Sequence, residues 1–204
     1  MSPAASPFER HTVSWPSSDG RVSIRPAFEG DVPAMWAYQQ LPQTHPWIGR
    51  VVTSLDDARA VHAERTAPGG YRCAIEVGGE VVGDIGGRFE RPFSLGPEVD
   101  AWDCTLGYVV HPREWGRGIA SAAVRLVVPM LHDQLGVRRI VAKVFTDNVP
   151  STRVLLRNGF VLEGTERACV LGRDGRWLDD HTLAHLPSDP YDSMSSPSRL
   201  SGHR

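Results

Sequence analysis

The residues with the clearest chemical potential sit near the middle of the chain, in the segment Arg113-Glu114-Trp115-Gly116-Arg117-Gly118-Ile119-Ala120. Gly116 and Gly118 carry no Cβ, so the chain can turn sharply and let a ligand approach its backbone. A helix starting here presents unpaired N–H groups and the positive end of its dipole. Together these make a pyrophosphate site. The guanidinium groups of Arg113 and Arg117 are placed to add charge-assisted contacts to phosphate. A tight turn closed by a helix would use the same glycines for a purely structural end. A dinucleotide site is a third reading, because Gly116-Arg117-Gly118-Ile119-Ala120-Ser121 nearly fits G-x-G-x-x-G/A. That reading fails on context: the motif follows antiparallel-looking strands, and no acidic residue ends the next strand, 139–146.

The elements that must hold this segment follow from periodicity. Residues 100–111 alternate as one long strand, with Trp102, Cys104, Leu106, Tyr108 and Val110 on one face and Asp103, Thr105, Gly107 and Val109 on the other. A helix over 116–135 follows, and then the β-branched strand 139–146. Pro129 inside that helix removes a hydrogen bond and should kink it or end its regular part. Upstream, 21–26 reads as a first strand, 31–40 as a helix with Asp31 as N-cap, and 54–66 as a helix opened by Ser54. Strands 71–77 and 80–89 flank the Gly78-Gly79 hairpin turn. Downstream, 150–158 is a short helix stopped at Asn158-Gly159, and 160–171 and 177–186 form a final antiparallel pair. The order β α α β β β α β α β β is an α+β chain: a mixed sheet with helices against it, whose strand–helix–strand unit at 100–146 needs a parallel crossover.

Composition excludes several classes. A net charge of -2 argues against a nucleic-acid partner or an anionic membrane surface. No window is apolar and long enough to span a bilayer. Cys73, Cys104 and Cys169 are too few and too scattered for a disulfide scaffold or a structural zinc site, and read as buried free thiols in strands. A metal is not expected, and the expected compartment is the cytoplasm. Residues 1–19 read as an irregular segment, 20–187 as the folded domain and 188–204 as a disordered tail.

Several motifs occur in a fixed order: Leu106-Gly107-Tyr108-Val109-Val110-His111-Pro112, Arg113-x-x-Gly116-x-Gly118-x-Ala120, Asn148-x-x-Ser151 and Asn158-Gly159-Phe160. In that order the chain resembles the GNAT acetyltransferase superfamily over about residues 20–186. The branch it looks most like is that of the ribosomal-protein acetyltransferases RimJ and RimL. The resemblance implies a GNAT-like acyl-CoA N-acyltransferase fold with a sheet splayed open between its central strands, and acetyl-CoA in the cleft. It implies that the backbone of Val109, Val110 and His111 pairs with the pantetheine arm, with an N–H near Val109 receiving the oxyanion. The amides of Arg113 to Gly118, with Ile119 and Ala120, would hold the pyrophosphate. Asn148 would bond the pantetheine, and Ser151 would protonate the departing thiolate. Asn148 is equally a helix N-cap, and Ser151 a first-turn residue.

The general base is where the pattern departs. RimL-like relatives tend to carry Glu where this chain has Thr105. Asp103, on the same strand face about 7 Å away, is the expected replacement, acting through water. Asp84, His45 and His111 are weaker choices. The acceptor pocket is expected between the 31–66 helices, the 44–50 loop and the 171–177 hairpin, with Trp36, Trp47 and Trp177 as lining. The expected activity is acetyl transfer from acetyl-CoA to a primary amine, on a protein N-terminus or a small molecule. Two alternatives stay open: a non-catalytic acyl-CoA-binding sensor that lost its base, and a dinucleotide-dependent oxidoreductase. A homodimer is also left open.

Overall fold

A nine-stranded sheet runs through the computed structural model, which describes residues 6–50, 52–96 and 99–190, with the backbone alone at Glu9. The strands are β1 (Ser17–Ser18), β2 (Ser23–Pro26), β3 (Gly70–Val77), β4 (Glu80–Glu90), β5 (Trp102–Thr105), β6 (Gly107–Val110), β7 (Val137–Phe145), β8 (Val161–Leu171) and β9 (Trp177–His185). The helices are α1 (Pro7–Arg10), α2 (Val32–Gln39), α3 (Leu55–Thr66), α4 (Ile119–Pro129) and α5 (Val149–Arg157). Spatial order is β1-β2-β3-β4-β5-β7-β9-β8, with β6 paired to β4 alone. Only β5 and β7 are parallel, as the crossover through α4 requires.

Helices cover both faces. The α4 helix packs Ile119, Ala122, Ala123, Val124, Leu126, Val127 and Val128 into the main core, against Ile24, Ile75, Ile85, Val110 and Ile140. Each such buried Val, Leu or Ile contributes about 1.5–3 kcal/mol. On the opposite face α2 packs Met35 and Tyr38 against Ala74 and Val109.

The hairpin β3–β4 turns at Gly78 and Gly79, both at positive φ (60° and 82°), the backbone of a two-residue turn that fits the twist of its strands. Ser54 caps α3 by accepting from the Asp57 amide at 3.0 Å. Pro129 ends the regular part of α4, and the chain continues as one π-helical turn over Met130–Gln134. A proline cannot donate the next α-helical bond, and the wider turn absorbs the mismatch.

Several expectations need correction. Asp31 stands before α2 but makes no cap bond. Its buried carboxylate is gripped by Arg25 at 2.7 and 2.9 Å and accepts the Phe28 amide at 3.0 Å, so the guanidinium of β2 wins over the helix end. The N-terminal segment is not wholly irregular: it carries α1 and β1, and Phe8, Val13 and Trp15 pack on the core. Residues 1–5 of it, and 191–204 of the tail, lie outside the described residues. Cys73 and Cys104 are buried, but Cys169 is exposed, because β8 is an edge strand. Burial pushes the Cys73 thiol up to about 12 and raises that of Cys104 further, so both are inert at neutral pH.

The long strand at 100–111 is broken in two, and the break makes the cleft. The Thr105 hydroxyl, rather than its carbonyl, accepts the Arg88 amide (2.9 Å), while the carbonyl takes the Tyr71 hydroxyl at 3.0 Å. Gly87 permits the crowding, since a Cβ there would meet the Thr105 carbonyl oxygen at 1.9 Å. The Leu106 amide then makes the last bond to β7, at the Val141 carbonyl (2.8 Å). Beyond it β6 stays with β4 while β7 follows β9, and the sheet opens between them.

Candidate active site

A single cavity of about 1030 Å³ runs through this opening, from the turn before α4 to the loop after α2. Its floor is the free edge of β6. The His111 amide bonds the Val82 carbonyl at 2.8 Å, and the register pairs Val109 with Asp84 and Gly107 with Gly86. Alternation in an antiparallel ladder therefore turns the N–H groups of Val109 and His111 toward β4, and those of Tyr108 and Val110 toward the cleft. The Val110 carbonyl is taken by Trp115 Nε1 at 2.8 Å. The amides left open to the cleft are thus those of Tyr108 and Val110; of the three residues expected to pair with a pantetheine arm, Val110 faces the cleft and Val109 and His111 face β4.

The turn expected to hold a pyrophosphate offers fewer free amides than expected. The Arg113 amide already bonds His111 Nδ1 (3.1 Å), the Glu114 amide the His111 carbonyl (2.9 Å) and the Trp115 amide the Pro112 carbonyl (3.1 Å). Those three belong to a 3₁₀ turn over Pro112–Glu114. Among the described residues, the amides of Gly116, Arg117, Gly118, Ile119 and Ala120 have no acceptor in the protein. Gly116 and Gly118 hold φ of 73° and 75°, a conformation that costs other residues about 1–2 kcal/mol. Gly118 is the residue before α4, so five free amides converge on its N-terminus. The side chains of Arg113 and Arg117 are engaged elsewhere. Arg113 pairs with Glu80 and Arg117 with Glu114, each at 2.7 Å, and neither lines the cavity. Arg153 and Arg157 of α5 do line it, and Arg21 reaches the turn by donating to the Arg117 carbonyl.

Midway along the cavity, Ser151 Oγ lies 2.8 Å from the Tyr108 hydroxyl, which also donates to the Ser151 carbonyl at 3.2 Å. Asn148 caps α5: its Oδ1 accepts the Ser151 amide at 3.2 Å, which sets the serine at the positive end of the helix. Burial raises the Tyr108 phenol, opposed in part by its bond to Ser151, to about 12. It therefore keeps its proton at neutral pH and can donate it. Tyr108 did not emerge from the sequence as a partner of Ser151, because strand alternation marks it only as an inward residue.

The far side of the cavity meets the expected acceptor region. The Arg173 guanidinium of the β8–β9 hairpin bonds the Ile48 carbonyl at 2.9 Å, tying the hairpin to the 44–50 loop. Trp47 lines the cavity; Trp36 and Trp177 do not. Asp84 sits at this end, 2% exposed, held by Arg72 Nε at 3.0 Å and the Tyr38 hydroxyl at 2.5 Å, with Arg65 at 3.6 Å. Burial raises its pKa, but Arg72, Arg65 and the hydrogen bonds outweigh that and hold it below the usual carboxylate range. It is a saturated structural charge and a poor base.

The structure does not bring Asp103 to the cavity. Its carboxylate is bound two-fold by Arg138 at 3.0 and 2.8 Å on the stretch where β5 still pairs with β7. The 7 Å between Asp103 and the Thr105 position lies on the closed side of the split. His45 and His111 do not line the cavity either. A different carboxylate does: Asp180 of β9, 8% exposed, which no local signal in the sequence sets apart. Among the described residues no group of three or more His, Cys, Asp or Glu side chains is placed to hold a metal ion. Among the same residues no helix is long and apolar enough to cross a membrane.

The family model described as the acetyltransferase (GNAT) domain matches residues 21–161. The chain belongs to the GNAT acetyltransferase family. Among curated relatives, the L-amino acid N-acetyltransferase AaaT of Escherichia coli (strain K12) is 38% identical over 81 residues, 40% of this chain and 49% of that protein. The ribosomal-protein-serine acetyltransferase of the same organism is 39% identical over 59 residues, 29% of this chain and 33% of that protein. The chain thus spans about half, or less, of the length of the curated relatives it matches. Two solved structures carry the same fold. RimL, a ribosomal L7/L12 α-N-protein acetyltransferase in complex with coenzyme A, superposes with a TM-score of 0.70 at 22% identity, over 84% of this chain and 96% of that one. Mycobacterium smegmatis RimJ in complex with CoA-disulfide gives 0.69 at 23% identity, over 81% and 82%. The GNAT fold, with its splayed sheet, is therefore established for this chain.

Proposed function

We propose that this GNAT protein transfers an acetyl group from acetyl-CoA to a primary amine by direct attack. The observation that carries the reading is the line of unpaired main-chain amides, Tyr108 and Val110 on the sheet edge and then Gly116 to Ala120 at the turn, running along one cavity past Ser151. The pyrophosphate lies on the five amides before α4 and is held by them together with the helix end. The pantetheine arm extends β6 as an added strand, with Asn148 beside it. The thioester carbonyl takes a hydrogen bond from the Tyr108 or Val110 amide as charge develops on its oxygen. The acceptor nitrogen attacks the carbonyl carbon, the C–S bond breaks, and the thiolate receives a proton through the Ser151 and Tyr108 hydroxyls. Holding amine and thioester together supplies much of the rate.

The acceptor class is an α-amine or a small-molecule amine. The names of the relatives span both, an L-amino acid in one and ribosomal proteins in others. The free thiols fit a reducing compartment, the cytoplasm, and residues 20–187 act as the catalytic domain. The test is calorimetric binding of coenzyme A, followed by a thiol-release screen with acetyl-CoA against simple amines, amino acids and short peptides. Binding with turnover is the expected result. Binding without turnover on any amine would favour the sensor reading, and absence of binding would end both.

A further inference from the structure

We propose that Asp180 is the residue that receives the acceptor's ammonium group and takes its proton. The inference rests on the acetyl-transfer reading above and adds the missing base to it.

Asp180 lies opposite Phe145 of β7 and Glu166 of β8 in the antiparallel ladders, so it shares a face with both. That face is the one turned away from α4: Ile140, Ala142 and Val144 of β7 alternate with it and are buried in the main core. The Asp180 side chain lines the cavity and is 8% exposed. No hydrogen bond or ion pair holds it among the described residues. The charged and titratable groups of β7, β8 and β9 nearest it are committed elsewhere, while Arg153 and Arg157 of α5 line the same cavity. Lys143 of β7 binds Glu166 at 2.7 Å, the Thr182 hydroxyl binds the same glutamate at 3.1 Å, and His181 Nδ1 is 2.9 Å from the Thr165 hydroxyl.

A carboxylate largely shielded from water and without a partner is unfavourable, and folded chains rarely keep one. An arriving cation would offset that cost, and the proposed acceptor arrives as an ammonium ion at neutral pH. The other candidate carboxylates fail as bases on geometry: Asp84 is saturated by Arg72 and Tyr38, Glu114 is paired with Arg117 and Arg113 at the glycine turn, and Asp103 is clamped by Arg138 outside the cavity. Burial raises the Asp180 pKa above the usual range, Glu166 adds to this, and Lys143 and His181 oppose it. A carboxylate so raised is better matched to accepting a proton than an ordinary one.

The step balances as follows. The R–NH3+ group gives one proton to an Asp180 oxygen, and its freed lone pair forms the C–N bond while the carbonyl π pair moves to oxygen. Collapse restores C=O and breaks C–S, and the sulfur leaves with the bonding pair. The second nitrogen proton reaches the thiolate through the hydroxyls of Tyr108 and Ser151. Asp180 then releases its proton to water, so acetylamide, CoA thiol and one proton are produced.

The test compares wild type with Asp180→Asn on two amines of similar size: ethylamine, which is an ammonium ion at pH 7, and trifluoroethylamine, which is already neutral there. Asp180→Asn should lower kcat/KM for ethylamine on the order of 100-fold and for trifluoroethylamine less than about threefold. The acid limb of its pH profile should move to alkaline pH, with coenzyme A affinity unchanged. Its unfolding midpoint should equal or exceed that of wild type, because a largely buried charge with no protein partner has been removed. Equal losses on both amines, no loss on either, or a midpoint several degrees lower would overturn the assignment. A readout independent of turnover is the 13Cγ resonance of Asp180, identified by its absence in the variant, which should shift when ethylammonium is added to wild type. If wild type binds no coenzyme A, the acetyl-transfer reading falls. The resonance still decides whether Asp180 meets an ammonium ion, and an unmoved signal says that it does not.

Discussion

Replacing Asp84 by asparagine removes the carboxylate that pairs with the buried Arg72, whose side chain is 3% exposed. Four donors reach Asp84: Arg72 Nε at 3.0 Å, the Tyr38 hydroxyl at 2.5 Å and, more distantly, Gln39 Nε2 at 3.5 Å and Arg65 at 3.6 Å. Asparagine keeps the shape but leaves a guanidinium buried and unpaired. Breaking a buried pair from one side costs about 3–5 kcal/mol. For a chain of this size each kcal/mol lowers Tm by about 2–4 °C, so Asp84→Asn should melt roughly 10 °C earlier. The sign with pH follows from the depressed folded pKa of Asp84. Its stabilisation is fully present above the unfolded carboxylate value near about 3.9 and is lost as pH falls through the lower folded value. The gap between wild type and variant, measured by urea unfolding from pH 4 to 8, should therefore be flat through neutrality and close only in acid. Because Asp84 is saturated, the pH profile of kcat in the variant should keep its shape. A gap under about 1 kcal/mol, or one that closes above pH 5, would refute the account. So would an acid limb of the rate profile that disappears with Asp84.

Ser151→Ala and Tyr108→Phe should each lower kcat by about 10- to 100-fold with coenzyme A affinity unchanged. The double variant should be little worse than the poorer single one, because both hydroxyls serve one proton path; single-turnover kinetics would show this. Asp103→Asn should leave the rate unaltered at every pH and cost under about 1 kcal/mol of stability, since its partner Arg138 is half exposed. Gly118→Ala and Gly136→Ala both place a Cβ at positive φ, 75° and 64°, and each should cost about 1–2 kcal/mol of stability. Coenzyme A affinity should fall, by about tenfold on loss of one amide–phosphate bond, for Gly118→Ala alone, as calorimetry would register.

Local periodicity was a good guide wherever one face of an element is buried and the other is not. It located the Gly78-Gly79 hairpin, α3 with its Ser54 cap, the end of α4 at Pro129 and the stop of α5 at Asn158-Gly159. The motif order also marked the glycine turn before α4, but not that the amides of Arg113, Glu114 and Trp115 are taken up within the protein. It failed where partners come from distant strands. Strand alternation carries no sign that Tyr71 would capture the Thr105 carbonyl, so alternation alone predicts a continuous strand through the break at Leu106. Without the break, which amides of 108–111 face the cleft, those of Tyr108 and Val110 and not those of Val109 and His111, does not follow from the residue order, and the expected set Val109 to His111 holds only at Val110.

By itself the amino-acid order determined the elements, the glycine turn and the family, because these depend on φ preferences, side-chain period and residue type within a few positions. Which charge is free and which is spent was decided only when strands far apart in the chain came together. Arg138 closes on Asp103 across 35 residues, Arg72 on Asp84 across 12, and Lys143 on Glu166 rather than on Asp180. A carboxylate's chemistry depends on what lies within about 4 Å of it, and that neighbourhood is a property of the folded sheet.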